Sequence, residues 1–256
     1  MTAKQKLNNY DVYLFDLDGT VYAGDVPISS TINYINQLIA AKKLVYMVTN
    51  NATVTESSVK QKLNGFGIDT MGINIVTSAM VTATILAKQE LKSAYIIGEL
   101  TMHEFMLNVG IFHDEISPQA VVVSLDRNTT YAKLAKATEF IQKQQLPFYA
   151  TNRDLRLPNK SGFLPGAGTL VNLIAEAAAI EPVVIGKPNA AIAEYLDMLL
   201  PNHPRSSWLM FGDNYATDIL FGINNNIDTC FLETGVHTIE YIREQKLQPT
   251  YIMKTL

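Results

Sequence analysis

The chain has 256 residues, enough for one large domain or two modest ones with a sizeable buried core. Hydrophobic residues make up 48% and charged residues 17%, a balance typical of a soluble globular protein. The formal net charge is -4 and the basic residues are scattered. This argues against nucleic acid or a membrane surface as partner, because both are bound through dense patches of Lys and Arg.

Cysteine content and the N-terminal segment bear on the cellular compartment. Cys230 is the single cysteine, so an intramolecular disulfide is impossible, which fits a reducing compartment. Residues 1–10 lack the apolar core of a signal peptide, and no run reaches the roughly 18 apolar residues of a membrane span. We therefore expect a cytoplasmic protein, with Cys230 packed inside a strand.

Short apolar runs alternate with longer segments of helical period along the chain, which favours an α/β fold with a mainly parallel sheet. In chain order, the predicted strands are residues 12–15, 44–48, 95–97, 121–123, 148–149, 183–185, 208–211 and 229–232. The predicted helices are residues 28–43, 55–64, 101–109, 131–145, 168–180 and 189–200. The four histidines are dispersed without metal-ligand spacing, so we expect each to be structural or on the surface.

The segment 15–20, Phe-Asp-Leu-Asp-Gly-Thr, directly follows the first apolar strand. In an open α/β sheet ligands bind beyond the carboxyl ends of the strands, which is where Asp16 would lie. If the strand continues, Asp16 and Asp18 point in the same general direction, and their repulsion calls for a cation or a proton between them. A simple turn would account for Asp18-Gly19 but not for an aspartate after four apolar strand residues.

Three further motifs follow predicted strands and suit the same chemistry. Hydroxyl, amide, ammonium and carboxylate groups of this kind can bind phosphate oxygens or a cation, although each motif alone also fits a loop, a helix cap or a solvated lysine. The motifs are Thr49-Asn50-Asn51, Gly186-Lys187-Pro188, and Asp213-Asn214 followed by Asp218. Their occurrence in this order, each at the end of a strand, is far more specific than any one of them.

Together these motifs resemble those of the haloacid-dehalogenase-like (HAD) phosphatase superfamily, and most closely its NagD-like branch with a large α/β cap. The resemblance covers nearly the whole chain. Within this branch, the chain is most similar to bacterial sugar-phosphatase-like members. It is carried by Asp16-x-Asp18-Gly-Thr, Thr49-Asn-Asn, Thr77-Ser-Ala-Met80, Ala150-Thr-Asn-Arg-Asp154, Gly186-Lys-Pro and Gly212-Asp-Asn-Tyr-Ala-Thr-Asp218-Ile. It implies a Rossmann-like parallel-sheet core with an inserted α/β cap domain.

The resemblance also implies a mechanism. Asp16 would attack phosphorus and form an aspartyl-phosphate, and Asp18 would protonate the departing oxygen and then deprotonate the attacking water. The cofactor would be Mg²⁺, held by the Asp16 carboxylate, the Asp18 backbone carbonyl and Asp213, with Asp218 and Asn214 behind these ligands. Thr49 and Lys187 complete the catalytic set that the resemblance implies.

Thr49, Asn50 and Lys187 would hold the phosphoryl oxygens. The implied substrate-binding residues are Asn50, Asn51, Asn152, Arg153 and Asp154, the last three on a cap loop. Asp126 and Arg127 are weaker candidates, and an ordinary turn or a surface ion pair is the alternative for each cap residue. Arg153, where relatives often have Gly or Pro, and Asn224-Asn225-Asn226, where Asn-Ala-Gly is usual, depart from the pattern, with effects left open.

The cap is predicted at residues 80–181, so the catalytic core combines residues 1–79 and 182–256. Gly24 and Pro27 lie at the position of the flap that follows the first motif in this family. Closure of the cap would exclude bulk water and restrict access to small substrates.

The expected function is hydrolysis of small phosphomonoesters of the sugar-phosphate or nucleotide type. The alternatives are a phosphomutase or other phosphotransferase of the same fold, or a non-catalytic metabolite-binding protein. A dehalogenase would not need the carboxyl group of Asp18. The partner is a small phosphate ester, with no nucleic acid and no membrane. The sequence leaves the physiological substrate and the oligomeric state open, a homodimer included.

Overall fold

The computed structural model describes residues 7–159 and 162–256 of the chain. The backbone divides into two compact units. The first unit combines the residues up to Thr49 with Glu56–Val76 and Lys187–Leu256, and the second combines Asn50–Thr55 with Thr77–Gly186. Within the described residues, no helix has the length and apolar character needed to cross a membrane.

The chain alternates strands and helices along most of its length. The strands are β1 (Val12–Phe15), β2 (Tyr22–Ala23), β3 (Val26–Pro27), β4 (Leu44–Thr49), β5 (Ile73–Thr77), β6 (Ser93–Ile97), β7 (Phe112–His113), β8 (Val121–Val123), β9 (Phe148–Ala150), β10 (Arg156–Asn159), β11 (Gly162–Pro165), β12 (Val183–Val184), β13 (Trp208–Gly212), β14 (Asp228–Leu232) and β15 (Tyr251–Met253). The α-helices are α1 (Ser29–Ala40), α2 (Glu56–Gly65), α3 (Ser78–Lys88), α4 (Leu100–Asn108), α5 (Tyr131–Gln144), α6 (Ala167–Ala178), α7 (Ala191–Leu199), α8 (Leu220–Asn224) and α9 (Ile239–Arg243).

A six-stranded sheet in the order β15-β14-β13-β1-β4-β5 forms the centre of the first unit. β1 pairs in parallel with both β13 and β4, and β14 continues the parallel pairing to β15. All four residues of β1 are buried, as expected for a strand covered on both faces. Cys230 is buried in β14, which confirms its predicted packing role. The predicted α/β fold with a parallel sheet is confirmed.

This strand order brings the chemistry-bearing motifs to one edge of the sheet. β13, β1 and β4 are neighbours and parallel, so their carboxyl ends meet. Asp213, Asp16 and Asn50 are the residues that directly follow these three strands. The phenyl rings of Phe15 and Phe211, at the ends of β1 and β13, stack with their centroids 4.5 Å apart.

The second unit has its own five-stranded sheet in the order β12-β9-β8-β6-β7, with parallel pairing throughout. Helices α5 and α6 pack their apolar faces on this sheet around Phe140 and Ile174. Strand β12 pairs with β9, so the chain stays in this unit as far as Gly186. The cap was predicted at 80–181, and its role as a cap stays a prediction.

Several elements differ from the sequence-based expectations. β5, α3, the antiparallel hairpin β10–β11 and β15 were not predicted. Helix α1 ends at Ala40 instead of residue 43, because Lys42 takes a left-handed backbone conformation with φ 57°. Helix α7 begins at Ala191, two residues later than expected.

Candidate active site

Three carboxylates from separate segments of the first unit converge beyond the carboxyl ends of the central strands. Asp16 follows β1, Asp213 follows β13, and Asp218 lies in a π-helical turn at Tyr215–Ile219. Each offers one oxygen that lies within 4.8 Å of the other two. Asp213 and Asp218 are buried, whereas Asp16 retains partial exposure. Among residues 7–159 and 162–256, no other group of three or more His, Cys, Asp or Glu side chains meets the same test for a metal site.

The ammonium group of Lys187 is buried among these carboxylates. Its Nζ donates hydrogen bonds to Asp16 Oδ1 and Asp218 Oδ1, both at 2.6 Å, and to the carbonyl oxygen of Val48 at 2.9 Å. These three acceptors satisfy the three donors of the ammonium group. The sequence suggested either a solvated surface lysine or a phosphate ligand, and the burial of Lys187 excludes the surface interpretation.

The charges in this cluster do not balance. Burial raises the pKa of Asp16 well above its usual range, Lys187 opposes this, and the charges of Asp218 and Asp213 raise it further. Burial lowers the pKa of Lys187, but the two carboxylates beside it outweigh that effect and raise it, so Lys187 is a stable cation. Three carboxylates thus face one ammonium group, and the cluster favours the uptake of further positive charge.

Asp213 is held in place by two donors. The Thr20 hydroxyl donates to its Oδ1 at 3.0 Å, and the backbone N–H of Val236 donates to its Oδ2 at 2.7 Å. Burial, and then the charge of Asp218, raise the pKa of Asp213 to about 6 despite these hydrogen bonds. Gly19 and Gly235 flank the carboxyl group, and a Cβ on either one would lie 2.5 Å from Asp213 Cγ. Only glycine therefore permits this close approach.

Asn214 connects Asp213 to the π-helical turn. Its side-chain oxygen accepts a hydrogen bond from the N–H of Ala216 at 3.0 Å, and its own N–H donates to Asp218 Oδ2 at 3.1 Å. Asn214 therefore caps the turn and also orients Asp218, so the helix-cap interpretation and the functional interpretation both describe part of its role.

Asp18 lies at the entrance to a short hairpin formed by β2 and β3. It forms an isolated bridge with Tyr22, the first residue of β2. Its side chain is accessible to solvent, yet the protein atoms around it raise its pKa by desolvation. The charge of Lys62 and the backbone of Gly24 oppose this rise in the pKa of Asp18.

The remaining predicted binding residues differ in the contacts that they make. Asn50, Asn152 and Asp154 come together: Asn152 Nδ2 donates to the Asn50 carbonyl at 2.8 Å, and Asn50 Nδ2 donates to the Asp154 carboxylate at 3.1 and 3.3 Å. Asn51 instead forms a turn in which its Oδ1 accepts from the N–H and the hydroxyl of Thr53. Thr49, the last residue of β4, is buried in the first unit.

The other cap candidates form ion pairs within the second unit. Arg153 pairs with Glu181 at 2.6 Å, and Arg127 pairs with Glu99 at 2.6 Å, both on the surface. Asp126 is buried and accepts from the N–H of Asn128 and from Lys133 Nζ. The contribution of Arg153, Arg127 and Asp126 to a substrate site stays a prediction.

Sequence reasoning missed several residues that support the carboxylates. Thr20 lies inside the first motif but was assigned no role of its own, and its hydroxyl donates to Asp213, which lies 193 positions away in the sequence. The loop after β14 also supports the site, since the Thr234 hydroxyl donates to the Gly19 carbonyl at 2.6 Å. The contact made by Val236 uses its backbone N–H, which every residue except proline carries, so no sequence signal marked it.

Comparison with known proteins assigns the chain to a family. A model described as haloacid dehalogenase-like hydrolase matches residues 13–112, and a HAD-hydrolase-like model matches residues 184–256. The chain belongs to the haloacid dehalogenase-like hydrolase family. The sequence-based identification of the superfamily and of the enzyme class is thereby confirmed.

Relatives and a solved structure match over almost the full length. An acid sugar phosphatase of Staphylococcus saprophyticus is 37% identical, over 98% of this chain and 96% of its own. The 5'-nucleotidase YutF of Bacillus subtilis is 35% identical, over 98% and 97%. The crystal structure of a double mutant of the thermostable NPPase from Geobacillus stearothermophilus is 34% identical over 96% of both chains, with a TM-score of 0.87.

Proposed function

We propose that this protein is a magnesium-dependent phosphatase that hydrolyses small phosphomonoesters through a phosphoryl intermediate on Asp16. The observation that carries the proposal is the buried cluster of Asp16, Asp213 and Asp218 around Lys187 at the carboxyl ends of β1 and β13. Asp16 is the most accessible of the three carboxylates, and it directly follows the central strand. It is therefore the one best placed to reach an incoming phosphorus atom.

In the first step a carboxylate oxygen of Asp16 attacks phosphorus, and the bond between phosphorus and the ester oxygen breaks. Asp18 gives its proton to the departing oxygen, so the product leaves as an alcohol. Water then attacks phosphorus, Asp18 takes a proton from it, and the bond to Asp16 breaks to release inorganic phosphate. The raised pKa of Asp18 suits this exchange of roles, because it brings the acid form closer to neutral pH.

Lys187 has two duties in this scheme. It neutralises part of the negative charge around Asp16, so that the nucleophile can be ionised, and it supplies positive charge beside the site of phosphoryl transfer. Thr49, Asn50 and Asn51 are proposed to bind phosphoryl oxygens. Asn152, Arg153 and Asp154 are proposed to contact the rest of the substrate, and the second unit is proposed to act as a cap.

The residues present fit a divalent cation. Asp16 and Asp213, with the backbone carbonyl of Asp18, offer the hard oxygen ligands that Mg²⁺ prefers, while Asp218 and Asn214 lie behind them. The excess of carboxylates over ammonium groups, and the pKa of about 6 at Asp213, support a cation site here, because a nearby positive charge would favour the ionised carboxylates. A bound Mg²⁺ would supply charge stabilisation for the transferring phosphoryl group.

The names of the relatives support a proposal for the substrate class. The matched proteins are named for sugar phosphates and 5'-nucleotides, so we propose that this chain accepts a small ester of one of these types. A phosphate-release screen over sugar phosphates, nucleoside monophosphates and other metabolite esters would identify the preferred class. Transfer of phosphate to a second position of the same molecule, without release, would indicate a mutase instead.

The nucleophile is tested by Asp16→Asn. With Mg²⁺ the wild-type protein should release phosphate from 4-nitrophenyl phosphate and lose this activity with EDTA, and Asp16→Asn should be inactive. Asp11→Asn is the matched control, since Asp11 precedes the same strand at its opposite end and is exposed. Turnover by Asp16→Asn at the wild-type rate would contradict the proposed mechanism.

A further inference from the structure

We propose that Lys62, on helix α2, is a positioning residue for Asp18, acting through the hairpin β2–β3. This inference rests on the proposed function, because it assigns Lys62 a part in proton transfer to the leaving group. Lys62 lies outside every motif that the sequence singled out, and 44 positions separate it from Asp18.

Lys62 makes several contacts with the hairpin. Its Nζ donates to the carbonyl oxygen of Gly24 at 2.8 Å and lies 3.9 Å from the centroid of the Tyr22 ring. Asp25 Oδ1 is also 3.9 Å away, but its side chain is largely exposed and this pair contributes little. The Lys62 side chain itself is half-buried. The Lys62 ammonium group therefore contacts both the first strand of the hairpin, at Tyr22, and its tip, at Gly24.

The same hairpin contacts Asp18 from its other side. Tyr22 forms an isolated bridge with Asp18, and the N–H of Gly19 donates to the carbonyl of Tyr22 at 2.7 Å. Lys62 therefore holds the tip of the hairpin through the carbonyl of Gly24, and the first strand of the hairpin lies against Asp18 through the bridge of Tyr22. Gly24 has φ 59° and open space around it, so the tip of the hairpin is held by these hydrogen bonds more than by packing.

A hairpin of two-residue strands has little stability of its own. Both residues of β3 are exposed, and Tyr22 is the member of β2 that is buried. The Tyr22 ring packs on Phe66, just beyond the end of α2, with centroids 5.8 Å apart. Loss of the Lys62 ammonium would leave this ring contact in place but release the Gly24 carbonyl, and with it the tip of the hairpin that lies against Asp18.

This arrangement predicts an effect that depends on the leaving group. An alkyl alcohol needs a proton as it departs, whereas 4-nitrophenolate leaves readily without one. A misplaced Asp18 should therefore slow transfer from an alkyl phosphate much more than from 4-nitrophenyl phosphate. A general loss of structure would reduce both rates by the same factor.

The experiment compares kcat/KM for an alkyl phosphate and for 4-nitrophenyl phosphate in Lys62→Met, with Mg²⁺ present. We expect the alkyl rate to fall by roughly tenfold, a part of the 10²–10⁴-fold that a general acid supplies, and the aryl rate to fall by less than about threefold. Lys62→Arg, which keeps a cationic donor, should recover part of the alkyl rate. Lys60→Met on the same helix, where Lys60 pairs with Glu56, should leave both rates unchanged.

An equal fall in both rates, or no fall in the alkyl rate, would overturn the role of Lys62. If Lys62→Met does not fold, Lys62→Gln gives the same comparison with an uncharged donor. Failure of the proposed function looks different: the wild-type protein would then lack phosphatase activity, or Asp16→Asn would retain it, whatever residue stands at position 62.

Discussion

The Thr20 hydroxyl orients one carboxylate of the cluster, that of Asp213. It is buried and donates to Asp213 Oδ1, which leaves fewer orientations open to that carboxylate. Residues that orient metal ligands typically change metal affinity by 10–100-fold when they are replaced. We therefore expect Thr20→Val to weaken Mg²⁺ binding by roughly tenfold or more, as measured by calorimetric titration of the metal-free protein.

Thr31 provides the control for this measurement. It is also fully buried in the first unit, but its hydroxyl has no hydrogen-bond partner in the described part of the chain. Thr31→Val should leave Mg²⁺ affinity unchanged and cost little stability, since no hydrogen bond is lost. Equal affinity in Thr20→Val and wild type would show that Thr20 does not orient Asp213 for a metal.

Lys187 is expected to stabilise the fold as well as the chemistry. Removing one partner of a buried ion pair costs about 3–5 kcal/mol, because the remaining charge is left buried and uncompensated. Lys187→Met should therefore lower the free energy of unfolding in urea by about this amount without divalent ions. Lys60→Met, at an exposed pair, should change it by less than about 1 kcal/mol.

A double mutant separates the charge effect from the loss of packing. In Lys187→Met combined with Asp218→Asn, one of the uncompensated carboxylates is gone. The combined loss of unfolding free energy should therefore be smaller than the sum of the two single losses. Additive losses would mean that Lys187 stabilises the protein through packing and not through its charge.

At the scale of single elements, helix α4 and strand β7 bring two histidine rings together. The rings of His103 and His113 have centroids 5.1 Å apart, and burial, followed by the charge of His113, lowers the pKa of His103 below 6.5. A hydrogen bond with the backbone of Gly98 and the charge of Asp126 oppose this shift, and Lys133 adds to it. The sequence-based expectation of a structural histidine fits this packing.

The lowered pKa gives a prediction with a definite sign. Below pH 6.5 the unfolded chain takes up a proton at residue 103 while the folded protein does not, so stability falls as the pH drops from 6.5 to the folded pKa. As the pH is lowered from 7.5 to 5.5, the free energy of unfolding in urea should fall less in His103→Gln than in wild type. A steeper loss in His103→Gln than in wild type would contradict the assignment.

The elements that were predicted correctly differ physically from those that were missed. β1 and β13 are continuous apolar runs, because both are buried on both faces, and such runs are visible in a sequence. The hairpin β10–β11 is mostly exposed and contains Pro158, so neither hydrophobicity nor propensity marks it. Strand β5 ends at Thr77 and helix α3 begins at the next residue, without a loop between them. The change from the two-residue period of a strand to the 3.6-residue period of a helix therefore has no marked boundary in the sequence.

At the scale of the whole molecule, the sequence could place the carboxylates and Asn214, but not the other residues that support them. Asp16 and Asp213 were predictable because each follows an apolar strand, and parallel strands bring their carboxyl ends together. The role of Lys62 was not predictable, because Lys62 lies on an ordinary amphipathic helix and its partner is a backbone carbonyl. Contacts to backbone groups over long sequence separations carry no residue pattern, and they emerge only from the folded chain.

The unbalanced charge of the carboxylate cluster predicts that a divalent cation stabilises the whole fold. A ligand that binds only the folded state adds about 2.7 kcal/mol at 100 times its dissociation constant, and each kcal/mol raises Tm by about 2–4 °C in a chain of this size. Saturating Mg²⁺ should therefore raise Tm by roughly 5–10 °C, as measured by scanning calorimetry against an EDTA-treated sample.

Two aspartate variants locate the origin of this shift. Asp213→Asn removes one carboxylate of the cluster and should abolish most of the rise in Tm. Asp126→Asn changes an equally buried aspartate that belongs to the second unit and has Lys133 as its partner, so it should keep the full rise. If Mg²⁺ raised Tm equally in wild type and Asp213→Asn, the ion would bind elsewhere, and the excess negative charge at Asp16, Asp213 and Asp218 would be relieved by protons alone.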